Sequence, residues 1–537
     1  MRSSNGNNLI LSRELISFAT AAQIDKESIA LGNPESLLMG LAASGAYHIL
    51  KSQISTSEIL LLCGSGNNGG DGLALASLLV ADPDRQLYNS KSFIRNRLQI
   101  FAKLPMRSDA SNFYLNRLLR SSVKIQPLTD FTKQKLYSNC SNLFIIDALL
   151  GTAQHSPLNS ELLTILQRIK ELKLNGAKII SLDLPTGLFE DTETNFDKNL
   201  ETENLPIPDI TITFGFEKLA VALNPSLATM KTYTSVCGFE PQVEESILSK
   251  QSFRFQRIMA ESLTDTYFNN SVVPLFRRND NSNKYSAGYA YMIAGEYNME
   301  GAALLAVHGF LNSGGGYVRL FHPHIESRER LLHKMPSVLY QTTESFKDFL
   351  EKQKLPSVIL IGPGISKKTL TSLSDTILDG LNTIAKQGIK PTIILDAAAT
   401  QLAFDTRYPN ELAATTILTP HTGEWSALGA SPIHTVDQLN QAIQFLDGRA
   451  NLLLKGPVTL FVSPIENQCL VFPWPQPNLA VAGSGDTLAG ILASACSRNS
   501  KIDLTQLVTA AILLQHKSAL TTMHPEAQLQ KITQLLQ

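Results

Sequence analysis

Cysteine is scarce: the chain has five in 537 residues (Cys63, Cys140, Cys237, Cys469, Cys496), an odd number, scattered, with no Cys-x-x-Cys pair. That pattern indicates neither a disulfide framework nor a thiolate zinc site. No uninterrupted apolar run reaches the roughly 18–20 residues that a membrane-spanning helix needs. Residues 1–8 carry no apolar signal core and read as a frayed tail. An excess of one charge is missing too: 46 Lys and Arg face 47 Asp and Glu, a formal net charge of −1. That balance argues against nucleic acid as a partner of the whole chain. The expectation is a cytoplasmic globular protein without nucleic-acid or membrane partners. Its length predicts two or three domains, and 43% hydrophobic residues are enough for sizeable cores.

In the first half, apolar positions at helical spacing (Leu15, Phe18, Ile24, Ile29, Leu37, Leu38, Leu41) predict two helices broken near Gly32-Asn33-Pro34. The apolar run at residues 58–63 reads as a buried parallel strand. It empties into GSGNNGGDG (residues 64–72), and a helix is expected from residue 73 to 79. Strand, glycine-rich turn and helix form the architecture of a phosphate-binding loop, although the spacing fits neither the P-loop nor the strict dinucleotide fingerprint. Further apolar runs end in Asp147 and Asp183, and a third runs from Ile210 to Gly215. Carboxylates at the ends of parallel strands line the crevice where open α/β sheets bind ligands. Asn68, Asp147 and Thr186 offer hard oxygens to a cation, with monovalent and divalent ions both open.

A polar stretch at residues 241–252 marks a domain boundary. Beyond it, strand-like runs end in Gly295, Gly362-Pro363-Gly364, Asp396, Thr419-Pro420-His421 and Lys455-Gly456. Strands alternating with helix-length segments predict a second, mainly parallel, three-layer sheet. The stretch NLAVAGSGDTLAG (residues 478–490) then places small residues before a helix N-terminus, a site suited to an anion. Asp486 stands in it either as a helix cap or as a base beside amides that stabilise developing charge. Taken singly, His421 and Lys455 read as a surface histidine and a snorkelling lysine.

GSGNNGGDG, IIDALLGT (145–152), SLDLPTG (181–187) and ITFGFEK (212–218) together resemble the epimerase domain of the NAD(P)H-hydrate repair family, over residues 10–240. IAGEYNMEGAALLA (293–306), GPG (362–364), TPHTGE (419–424), LLKGPVTL (453–460) and the 478–490 stretch resemble that family's dehydratase domain, over residues 253–537. The resemblance implies two three-layer α/β/α domains, Rossmann-like and then ribokinase-like. It implies a bifunctional enzyme that epimerises the R and S hydrates of NADH and NADPH and dehydrates the S form at the expense of ADP. In the first domain it assigns hydrate contacts to Asn67, Asn68, Gly69, Gly70, Asp71, Gly151, Thr152, Ala153, Gln154, His155, Ser156, Pro157 and Asp183. Potassium falls to Asn68, Asp147 and Thr186, and Asp147 is the proton-transfer candidate. In the second, Ala302, Gly364, His421 and Asp486 would face the hydrate, with Asp486 as base. Lys455, Gly456, Pro457, Val458, Thr459 and residues 476–485 (among them Gly483, Ser484 and Gly485) would bind ADP, whose phosphates carry magnesium. A homo-oligomer is expected. The family pattern is broken at Ala398, where a second Asp is usual, and at Met335-Pro336-Ser337, which lacks a Glu after Pro336. A ribokinase-like small-molecule kinase with a nucleotide-binding regulatory domain stays open, as does a degenerate binding protein.

Overall fold

The computed structural model describes residues 11–54, 57–81, 97–121, 123–133, 140–193, 196–197, 205–228, 230–278, 280–352, 355–498 and 502–537; the expected tail at residues 1–8 lies outside them. The chain folds as two compact units. One comprises Glu14–Phe255 with Ile433–Leu439, and the other Met1–Arg13, Gln256–Pro432 and Asn440–Gln537.

The first unit is built on a seven-stranded sheet in the order 231–235, 210–214, 178–182, 143–148, 58–63, 98–102, 125–127, every adjacent pair parallel. Residues of the strand Glu58–Cys63 alternate between two cores. Ile59, Leu61 and Cys63 join the core under the helices Glu35–Ile54 and Asn67–Ala81. Leu60 and Leu62 join the core under the helix Ser160–Leu174. A strand buried on both faces reads as a continuous apolar run, which is why Ile59 to Cys63 shows no alternation in sequence. The chain enters at Glu58–Cys63, runs outward through Leu98–Ala102, then returns to the other side at Leu143–Ala148. The sheet's direction therefore reverses between these two central strands, and their carboxyl ends open the crevice of a doubly wound fold.

The second unit repeats the principle. Its strands run in the order 468–472, 459–463, 451–454, 416–418, 392–395, 358–361, 289–293, 317–322, 339–342. Pairing is parallel except at the two hairpins Asn451–Leu454/Thr459–Ser463 and Thr459–Ser463/Gln468–Phe472. Here the direction reverses between Tyr289–Ile293 and Val358–Ile361, whose exits meet where the Gly295 amide donates to Pro363 O (2.8 Å). The helix Ser484–Arg498 packs on Glu300–Asn312 at a crossing made of small residues. A Cβ on Gly490 would lie 2.0 Å from Ala306 O, and one on Gly309 would lie 2.6 Å from Thr487 O. This closeness sets where the amino end of Ser484–Arg498 points. Gly490→Val is expected to lower stability by about 1–3 kcal/mol through overpacking, read as a fall in the denaturation midpoint.

Three sequence expectations change. Residues 241–252 are not a bare connection: Pro241–Ser249 is helical, and its Val243 and Ile247 pack with Ile16 and Ile24. The polar turn at 67–71 is itself the start of the helix Asn67–Ala81, which begins six residues before the expected position. Ser12–Ile16, read as helical, is a strand that pairs Leu15 and Ile16 with Glu217 and Lys218. The expected break between the helices Phe18–Ala30 and Glu35–Ile54 is present.

Candidate active sites

The crevice of the first unit is a cavity of about 680 Å³. Gly64, Ser65, Gly66, Asn67, Asn68 and Asp71 form one wall, and Leu149, Leu150, Gly151, Thr152 and Ala153 form another. Asp183, Lys218, Asp25 and Glu35 complete an acidic end, while Lys26, Lys103 and Arg107 bring positive charge. Asp183 sits at φ 61°, a left-handed conformation rare for a non-glycine residue and a sign of strain held by its surroundings. Its amide donates to Ile212 O (2.7 Å). Its Oδ1 accepts from Phe214 N (3.2 Å) and is paired with the buried Lys218 ammonium. Lys218 also donates to Phe214 O (3.0 Å) and Thr213 Oγ1 (3.3 Å). Burial and the charge of Asp183 hold the Asp71 carboxyl well above the ordinary carboxylate range, and burial pushes Asp25 up to about 6.

The other expected residues of this unit divide. Asp147 is 4% exposed and is not among the residues that line the cavity. Its carboxylate accepts from Thr186 Oγ1 (2.7 Å), Thr186 N (3.0 Å), Leu149 N (3.1 Å) and Ser181 Oγ (3.4 Å). Four donors thus hold the Asp147 carboxylate, whereas Asp183 and Lys218 line the cavity. Gly69 and Gly70 do not line the cavity either. A Cβ on Gly69 would strike Gly64 O at 1.9 Å, and one on Gly70 would strike Ser111 Oγ at 2.2 Å, so packing requires these glycines. Gln154 braces the 181–187 turn, accepting from Gly187 N (2.8 Å), and His155, Ser156 and Pro157 are exposed outside the cavity wall.

Asn68 is buried and its Nδ2 donates to Leu150 O (2.7 Å) and Leu182 O (3.1 Å). Its Oδ1 has no hydrogen-bond partner among the described residues. An orphaned amide oxygen is thus linked through Leu150, whose amide donates to Thr186 Oγ1 (3.3 Å), to the Thr186–Asp147 pair. Uncharged and anionic oxygens of this kind fit a hard cation.

In the second unit Asp486 lies in the first turn of Ser484–Arg498, two residues inside the helix and not at its cap. Ser484 N donates to Val481 O (3.3 Å) and Thr487 N to Gly483 O (3.0 Å). The Gly485 and Asp486 amides between them belong to the first turn, whose N–H groups have no partner four residues back. Burial, with Asp396 and Glu424 nearby, pushes Asp486 up to about 6 against the lowering effect of Lys455. Lys455 Nζ donates to Asp396 Oδ1 (2.9 Å), which also accepts from Thr419 Oγ1 (2.7 Å). His421 caps the helix Thr422–Ala427: its Nδ1 accepts from Gly423 N (3.0 Å) and Glu424 N (3.2 Å), while Glu424 Oε2 accepts from His421 N (2.9 Å). With Nδ1 an acceptor, the exposed Nε2 carries the proton. A bridge between His421 and Lys455 brings their two turns together.

Ala302 and Gly364 also meet, the Ala302 Cβ lying 2.8 Å from where a Gly364 Cβ would stand. Gly456 and Pro457 are exposed, whereas the side chains of Val458 and Thr459 are buried, Thr459 donating to Gly456 O (3.2 Å). Ala398 falls in the short helix Ala397–Phe404, and it is Asp396 that meets Lys455. Sequence reasoning did not single out Lys218, although ITFGFEK ends on it, nor Asp25, Glu35 or Glu424.

Two family models match the chain. The one described as YjeF-related protein N-terminus covers residues 35–220, and the one described as NAD(P)H-hydrate dehydratase covers residues 290–536. Among curated proteins, the bifunctional NAD(P)H-hydrate repair enzyme Nnr of Thermofilum pendens is 27% identical, over 88% of this chain and 85% of its own. The Nnr proteins of Coxiella burnetii (27%; 93% and 92%) and Synechocystis (27%; 93% and 88%) align almost end to end. Among solved structures, the ADP/ATP-dependent NAD(P)H-hydrate dehydratase of Bacillus subtilis, co-crystallised with ATP and Mg2+, is 25% identical, with a TM-score of 0.40, over 51% of this chain and 96% of its own. With the two domains side by side in the order these relatives share, the chain belongs to the bifunctional NAD(P)H-hydrate repair family.

Proposed function

We propose that the two units act in series on hydrated NADH and NADPH, the first interconverting the R and S hydrates and the second dehydrating the S form with ADP. One pairing supports the reading: each unit holds a lysine against a buried carboxylate at its strand exits, Lys218–Asp183 in one and the half-buried Lys455 with Asp396 in the other. In the hydrate, C6 bears a hydroxyl and is bonded to the ring nitrogen. Inverting C6 requires one of those bonds to break and re-form on the other face, with a proton given to the departing atom and later returned. Lys218 and Asp183 supply donor and acceptor at the cavity wall. In the second unit Asp486 takes the C6 hydroxyl proton as that oxygen attacks the terminal phosphoryl of ADP and AMP leaves. The C6–O bond then breaks with phosphate as leaving group, and loss of a C5 proton restores the ring double bond. Amides of the first turn face the charge that develops.

Magnesium would travel with the nucleotide and offset phosphate charge; among the described residues no group of three His, Cys, Asp or Glu side chains could hold a metal ion. Potassium would be held by Asn68, Asp147 and Thr186, supplying positive charge to the buried Asp147 carboxylate. Among the described residues no helix is long and apolar enough to cross a membrane, and the five cysteines are free and buried.

Two expected outcomes test the assignments. With pure S hydrate and ADP, kcat/KM falls tenfold per pH unit below about 6 as Asp486 takes a proton; a flat acid limb down to pH 5 removes Asp486 as base. Potassium chloride raises the melting temperature of the wild type above its value in sodium chloride, as selective binding to the folded state requires. Asp147→Asn loses that difference, and equal potassium stabilisation of the variant contradicts the cation assignment.

A further inference from the structure

The ammonium of Lys455 stands in an electrostatically awkward place. It lies 3.1 Å from the point where a Cβ on Gly485 would be, against the first turn of Ser484–Arg498. The amino end of a helix is its positive end, so a cation there is repelled. Three features hold it in place. Asp396, 3% exposed, accepts its hydrogen bond at 2.9 Å. The same Oδ1 is fixed by the Thr419 hydroxyl at 2.7 Å. The Asp396 backbone is pinned as well: its amide donates to Ile361 O (2.9 Å), and its carbonyl lies only 1.9 Å from where a Gly362 Cβ would stand. The next residue, Ala397, is left-handed at φ 49°, the sort of strain that persists where surroundings over-determine it. Lysine, aspartate and threonine come from three adjacent strand exits, so the contact is built by the sheet and not by a loop.

We infer that Asp396 is a positioning residue for dehydration: it holds the Lys455 ammonium at the amino end of Ser484–Arg498 so that Lys455 meets the phosphoryl group in transfer. Polyphosphate entering the site gives that ammonium a second counter-charge at the helix end whose amides already favour an anion. The phosphoryl passes from ADP to the C6 oxygen, AMP departs, and the hydroxyl proton goes to Asp486; Asp396 exchanges no proton and touches no substrate. Glu424 and Asp486 are the other charged groups near Lys455; Glu424 is tied to the His421 amide, and the Lys455 ammonium donates its hydrogen bond to Asp396. The inference rests on the proposed dehydratase reading and adds to it a residue that acts only through another.

A double-mutant cycle on the full-length protein tests this, with purified S hydrate, ADP and magnesium as reactants. Asp396→Asn keeps the shape of the side chain and removes its charge. It is expected to lower kcat 30-fold or more while KM for the hydrate stays within twofold. In a Lys455→Met background, already slow, adding Asp396→Asn is expected to change kcat by less than twofold, because the group it positions is gone. Should Asp396→Asn fail to fold, as judged by loss of its melting transition, Thr419→Val takes its place, with a smaller loss that also vanishes in the Lys455→Met background. Asp396→Asn turnover within twofold of wild type overturns the inference, as does an undiminished loss in the Lys455→Met background. If wild type itself does not dehydrate the hydrate, the dehydratase reading fails; if wild type is active and Asp486→Asn is dead while the cycle is additive, only the positioning role of Asp396 fails.

Discussion

Asp486→Asn abolishes recovery of NADH from its S hydrate, with a fall in kcat of about 10²–10⁴, the range for removing a positioned general base. The amide occupies the same volume in the first turn of Ser484–Arg498, and it leaves in place the Ser484 contact from Gln515 Nε2 (2.7 Å) and the Thr487–Gly483 contacts that shape the turn. Affinity for ADP is therefore expected to stay within a few-fold of wild type, or to improve, since a negative charge beside the phosphates is lost. Isothermal titration with ADP and a stopped assay of NADH formation separate the two effects. The same preparation still consumes R hydrate, because the epimerase residues lie in the other unit. Unchanged turnover would remove Asp486 from the mechanism, whatever its place in the helix.

Lys218→Met is expected to eliminate the first activity. The substitution leaves a buried Asp183 carboxylate without its cation, and breaking a buried pair from one side costs about 3–5 kcal/mol. Loss of activity therefore needs a control for loss of fold. Asp183→Asn with Lys218→Met removes both charges together and is expected to recover most of the melting temperature while staying inactive. R-to-S conversion, followed by chromatography of the two hydrates, falls by about 10²–10⁴ in the single and in the double variant. A double variant that regains both stability and conversion would show that the pair serves the fold alone.

The sheet strands were legible because a parallel strand covered on both faces is a plain apolar run, as at Glu58–Cys63 and Val358–Ile361. The two glycine-rich turns were legible because small residues, a helix start and polar groups coincide. Three things were not. Ser12–Ile16 contains only two apolar residues, and those two fit a helical spacing as well as a strand. That strand pairs Ile16 with Lys218, so the element that escaped detection fixes the backbone of the lysine that escaped detection. Asp147 is the proton-transfer candidate by family resemblance, but no sequence pattern discloses that its carboxylate accepts from Thr186 N and Oγ1 and stays out of the cavity lining. Gly69 and Gly70 are substrate contacts by family resemblance, and the close approach of Gly64 O and Ser111 Oγ to them is a second reason for glycine that sequence alone does not separate from the first. At Ala398 a missing family carboxylate raised doubt that geometry reduces, since the carboxylate in contact with Lys455 is Asp396.

The central claim, that one chain prepares and then consumes a single isomer, is tested by supplying equal amounts of R and S NADH hydrate with ADP and magnesium and following absorbance of NADH. Wild type is expected to return all of it, whereas Lys218→Met stops at half and then creeps upward only as fast as the hydrates interconvert without enzyme. Complete recovery at the wild-type rate by Lys218→Met would contradict the account, and so would a wild-type reaction that halts at half.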